Sequence, residues 1–156
     1  MVSPVQVNTS QRVAIVTGSA HGMGRSIALR LADDGFDVGI NDIPSKKDLL
    51  STLEKEIAAK GRRACILPAD VSDEESVKGM VDTVVQELGS LDVMVANSGV
   101  FLRKSILEIT TDDWDRVQNI NSRGVFLCYK YAAKQMISQG RGGRIIGASS
   151  SSAKHS

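Results

Sequence analysis

Residues 17–24 read Thr-Gly-Ser-Ala-His-Gly-Met-Gly, and they follow directly on the apolar run Val13-Ala14-Ile15-Val16. A buried strand that feeds a glycine-rich turn and then a helix presents backbone N–H groups and a positive helix end to a phosphate. A glycine triplet alone is weak evidence. Here a strand precedes it, a helical pattern follows it, and an acidic residue ends the next strand, which is the context a dinucleotide site requires. The chain therefore reads first as a nucleotide binder.

The acidic residue is Asp42, 24 residues beyond Gly18. A carboxylate at the end of a second strand accepts both ribose hydroxyls of NAD, and its charge repels the 2′-phosphate of NADP. Lys46-Lys47 nearby favour NADP instead, whereas the turn offers His21 where an arginine would grip that phosphate. On balance these residues favour NAD, with NADP as the alternative.

Around this site the composition is that of an ordinary globular chain. Its 156 residues are 42% hydrophobic and 24% charged, enough for one domain with a sizeable core. A net charge of +1 gives no field for nucleic acid or an anionic membrane surface. Cys65 and Cys128 form no Cys-x-x-Cys, so buried thiols in a reduced, cytoplasmic setting are expected. Residues 1–10 show neither a basic region nor a long apolar stretch and read as a tail without a signal peptide; 11–156 read as the domain. With two histidines, His21 and His155, and no ligand cluster, no metal site is expected.

The elements that must hold the site alternate along the chain. Strands are predicted at 12–17, 36–41, 64–67, 91–96 and 144–148. Helices are predicted at 23–34, at 44–60 with Leu49, Leu53 and Ile57 inward, after a Ser72/Glu75 capping box, and as one long helix at 111–138. The long helix shows Trp114, Val117, Ile120, Cys128, Tyr131 and Ala132 on one side. Such alternation gives an α/β fold, a Rossmann-type doubly wound parallel sheet of five strands in the order 3-2-1-4-5. Ligands in such sheets sit beyond the carboxyl ends of the strands, here at Gly18, Asp42, Asp70, Asn97 and Ser149-Ser150.

Five ordered motifs carry a resemblance. Thr17-Gly18-x-x-x-Gly22-x-Gly24, Asp70-Val71, Asn97-Ser98-Gly99, Asn121-x-x-Gly124 and Ser149-Ser150 together resemble the short-chain dehydrogenase/reductase family of the classical type, from Arg12 to about Ala153. Segments 35–37 and 140–150 look similar to small-ketone reductases of the acetoin/diacetyl kind. The resemblance implies that Gly18, Gly22 and Gly24 admit the pyrophosphate, that Asp70 meets the adenine amino group beside Val71, and that Asn97 supports the fourth strand and the cofactor. Thr17, Ser19, His21, Met23, Ile43, Ser98, Gly99 and Ile120 complete the cofactor contacts it implies. Of the catalytic positions, Asn121 would hold a water in a proton relay, and Ser150 would orient a substrate carbonyl. The implied substrate is a small alcohol or ketone, and a homo-oligomer is expected for a full-length form.

One departure is severe. The family's acid/base is a tyrosine in Tyr-x-x-x-Lys downstream of the serine, with the lysine lowering its pKa. Six residues follow Ser150, none of them tyrosine, and Tyr129 and Tyr131 lie upstream with Ala133 and Gln135 four positions on. The sequence therefore reads as the cofactor half of an NAD-dependent oxidoreductase, inactive on its own. The alternative is a dinucleotide-binding or interaction module without turnover.

Overall fold

The computed structural model describes residues 11–150. Strands β1 (Val13–Val16), β2 (Asp37–Asp42), β3 (Ala64–Pro68), β4 (Val93–Ala96) and β5 (Arg144–Gly147) form one sheet in the order β3-β2-β1-β4-β5. Every pairing is parallel: Ile15 stands opposite Gly39 on one side and Met94 on the other, Gly39 opposite Cys65, and Met94 opposite Ile145. Between the strands run α1 (Gly22–Asp33), α2 (Lys47–Ala59), α3 (Glu74–Leu88), α4 (Thr111–Gln118) and α5 (Val125–Gln139). This is the predicted Rossmann-type order.

The sheet is covered on both faces, which is why β1 reads as an unbroken apolar run rather than an alternating one. Successive side chains of a strand point to opposite faces. Val13 and Ile15 pack with Val77 and Val84 of α3 and Leu127 and Ala132 of α5. Ala14 and Val16 pack with Ala28 of α1 and Leu50, Leu53 and Ile57 of α2. Cys65 and Cys128 are buried free thiols in the first of these layers. Desolvation pushes both up to about 12, so neither is a ready nucleophile.

Four local expectations need correction. The long helix is not uniform: Asn119–Gly124 forms a π-helical turn between α4 and α5. A π turn inserts a residue and shifts the helical phase, so Trp114 does not share the inward face of Cys128 and Ala132. It is 56% exposed, and α4 buries no residue at all. In α2 the inward residue is Leu50, not Leu49, because Leu50, Leu53 and Ile57, at i, i+3 and i+7, share one narrow face that Leu49 falls beside. The N-terminus of α3 is capped by Asp73, whose carboxylate accepts from the Ser76 N–H, while the Ser72 hydroxyl is taken by Asp70. The capping box that does form joins Thr110 and Asp113 at the start of α4.

Candidate functional site

At the carboxyl ends of the strands lies a cleft of about 510 Å³. The turn after β1 contributes Gly18, His21, Gly22, Met23 and Gly24; the exit of β2 contributes Asp42 and Ile43, and that of β3 Asp70 and Val71. Beyond β4 come Asn97, Ser98 and Gly99, and Ile120 closes the rim from the π turn. Residues scattered over a hundred positions of sequence thus meet because parallel strands put all their exits on one side.

The glycine turn is held from beneath. Thr17 and Ser19 are fully buried and do not line the cleft. The Thr17 hydroxyl accepts the N–H groups of Asn97 (2.9 Å) and Ser98 (3.0 Å), and Asn97 Nδ2 donates to the Thr17 and Gly18 carbonyls at 3.0 and 3.3 Å. The Ser19 hydroxyl donates to the Asn41 carbonyl at 3.1 Å. These two residues shape the turn from within. Gly18 has φ +64°, in the left-handed region that favours glycine. A Cβ on Gly24 would run into the Gly18 carbonyl and come within 2.6 Å of Asn97 Nδ2, so the helix can start this close to the turn only with glycine there.

The start of α1 opens on this cleft. Asp73 and Thr110 cap α3 and α4, but His21 at the N-cap of α1 gives no side-chain cap. An uncapped helix end facing a cleft, with no Cβ in the way, suits a phosphate-bearing ligand. Asp42 stands at the cleft's edge, its Oδ2 accepting from the Ala20 N–H (3.1 Å) and its Oδ1 from the Ile43 N–H (2.9 Å). At the exit of the neighbouring strand β3, Asp70 Oδ1 accepts from the Ser72 N–H (2.9 Å) and hydroxyl (2.7 Å).

Asn121 and Ser150 lie outside the cleft's lining. The Asn121 side chain is exposed and forms a reciprocal pair with Val100: Oδ1 accepts from the Val100 N–H and Nδ2 donates to its carbonyl, both at 2.8 Å. Ser150 is an exposed residue beyond β5. Neither tyrosine lines the cleft. Tyr131 donates to Glu74 Oε1 at 2.9 Å, a bond that raises its own pKa. Among the described residues no cluster of histidine, cysteine, aspartate and glutamate is placed to hold a metal ion.

The cleft also contains residues that the sequence reading did not assign: Asn41, Ala69, Val100 and Arg116; Lys46, weighed above in favour of NADP, lines it too. Arg116 had a signal, since it stands one helical turn before Ile120 and so shares its face. Asn41 had one too, as a polar residue inside an apolar strand.

The family model for short chain dehydrogenases matches residues 12–156. The chain belongs to the short-chain dehydrogenase/reductase family. A family member from the fungus Armillaria gallica is 54% identical over 143 residues, covering 92% of this chain and 55% of that protein. A solved short-chain dehydrogenase of Burkholderia cenocepacia in complex with NADP superposes with a TM-score of 0.86 at 39% identity, over 93% of this chain and 57% of that one. Carveol dehydrogenase of Mycobacterium avium in complex with NAD gives 0.86 at 33% identity, over 93% and 56%. The chain thus spans about half the length of the short-chain dehydrogenases it matches. Family members are oxidoreductases, and these neighbours bind one or the other nicotinamide dinucleotide. No helix among the described residues is long and apolar enough to cross a membrane.

Proposed function

We propose that this chain is the cofactor-binding half of an NAD(H)-dependent oxidoreductase acting on a small alcohol or ketone. The observation that carries the reading is the cleft itself: an uncapped helix start, a glycine turn with no Cβ at its closest approach, and two carboxylates at the exits of adjacent strands. When bound, the dinucleotide supplies or accepts a hydride at its nicotinamide ring. The chain's own residues bind and orient it. Backbone N–H groups around Gly18, Gly22 and Gly24 hold the pyrophosphate, Asp42 takes the adenosine ribose hydroxyls, and Asp70 with Val71 receives the adenine.

The reaction end is thinner. Ser150 orients a substrate carbonyl. The side-chain amide of Asn121 is held by Val100 through one donated and one accepted bond, which leaves one N–H and one lone pair for a relay water. No tyrosine follows Ser150 to deliver the proton, and general acid catalysis contributes roughly 10²–10⁴-fold. The chain alone is therefore a binder without turnover, and in a full-length form it works as a homo-oligomer in the cytoplasm.

Calorimetric titration of the chain with NAD, NADP and ADP-ribose tests this. NAD and ADP-ribose should bind comparably, because the adenosine half carries the contacts, and NADP more weakly. Asp42→Ala should weaken NAD by roughly tenfold, the worth of a lost charged hydrogen bond, and narrow the gap to NADP. Equal affinity of the unaltered chain for both dinucleotides would sink the NAD assignment; no binding of either would sink the site.

A further inference from the structure

Asn41, the penultimate residue of β2, is fully buried and bonds both the phosphate turn and the exit of β3. Its carbonyl accepts from both the N–H (2.8 Å) and the hydroxyl (3.1 Å) of Ser19, in the phosphate turn. Its Nδ2 donates to the carbonyls of Leu67 (2.8 Å) and Ala69 (3.0 Å). Those carbonyls flank Pro68 at the end of β3, where the last ladder bond runs from the Ala69 N–H to the Asp42 carbonyl (3.0 Å). The side chain therefore braces the exit of β3 where the ladder ends, immediately before Asp70.

Stability does not explain an asparagine here. Its Oδ1 is buried with no hydrogen-bond partner among the described residues, a loss that an apolar side chain of the same shape avoids. What leucine could not supply is the pair of bonds that fixes the peptides leading to Asp70. The Asp70 carboxylate is itself held by Ser72 through Oδ1, so Oδ2 is the oxygen presented to a base.

We infer that Asn41 is a positioning residue that sets base selectivity: by fixing the β3 exit it aims Asp70 at the amino group of adenine and against the oxo group of hypoxanthine. The inference rests on the dinucleotide reading of the cleft. It goes beyond that reading by assigning selectivity to a residue that acts through Asp70.

The test compares NAD with its hypoxanthine analogue, nicotinamide hypoxanthine dinucleotide, by calorimetry on the unaltered chain and on Asn41→Leu. Thermal unfolding checks that the variant folds; leucine keeps the shape and removes the unpartnered acceptor. Asn41→Ala serves as a second variant, and Ser72→Ala loosens Asp70 from its other side. The unaltered chain should prefer NAD by about tenfold, as expected when a carboxylate faces a donor in one ligand and an acceptor in the other. In both Asn41 variants and in Ser72→Ala this preference should fall toward unity, with affinity for the hypoxanthine analogue little changed. A purely structural role would lower both affinities together and leave the ratio intact, and that result overturns the inference while the cleft stands. A chain that binds neither dinucleotide overturns the reading of the cleft and this inference with it.

Discussion

The two ends of the sheet hold the same kind of residue in opposite states. At the amino ends, buried Asp37 opens β2 and is closed in by Arg62 (2.6 Å), Arg63 (2.8 Å) and Gln11 (2.6 Å). Asp92, just before β4, accepts from the Val13 N–H (2.8 Å) and pairs with Arg141 (2.6 Å). At the carboxyl ends, Asp42 and Asp70 accept from backbone N–H groups and a serine, and neither has a cationic partner among the described residues. A carboxylate whose lone pairs are taken by the chain's own arginines serves the fold. One left without a counter-cation at the rim of a cleft keeps its charge for a ligand. Residue type does not separate the two roles; the neighbours do.

The largest effect should come from the closed end. Asp37→Ala removes the buried carboxylate that ties Arg62, Arg63 and Gln11 together, and breaking such a network costs about 3 kcal/mol. Urea unfolding should show that loss, while the folded fraction still binds ADP-ribose with unchanged affinity. A loss of affinity in the folded fraction would show that the two ends are not independent.

The open end should behave in reverse. Gly24→Ala forces a Cβ against the Gly18 carbonyl. Overpacking of this kind costs about 1–2 kcal/mol in stability, less than Asp37→Ala. Dinucleotide binding should nevertheless vanish from calorimetry, because the turn that receives the phosphate must move.

The smallest effect lies at neither end. Lys104 and the Thr110 N–H hold the half-buried Asp113 carboxyl down to about 2, against an ordinary value near 3.8. A carboxyl lowered by folding contributes stability above its unfolded value and loses it as the pH falls through the folded one. The start of α4 should therefore fray between about pH 4 and pH 2. The amide shifts of Thr110 and Asp113 should report it, with ADP-ribose affinity at pH 7 unaffected by Asp113→Asn.

The strand order and most of the cleft were legible in the sequence, and the reason is physical. Strands buried on both faces leave apolar runs, and the polar residues just past them can sit only at the exits. What escaped was phase and competition. The π turn at Asn119–Gly124 has no periodic signature, so Trp114 was placed inward. The hydroxyl of Ser72 could serve its helix or Asp70, and only the folded geometry decides between them. Asn41 was read as strand body: a polar residue in an apolar strand was the visible signal, but its bonds to two carbonyls of the adjacent strand appear only in the fold.

The knot beneath the glycine turn has a consequence for how a ligand is received. Thr17, Asn97 and Ser98 fix the turn through bonds that need no ligand. The receiving surface is thus rigid before anything arrives, so little chain entropy is left to lose on binding. The freedom given up is mainly that of the flexible dinucleotide, which must adopt the one shape the turn already has.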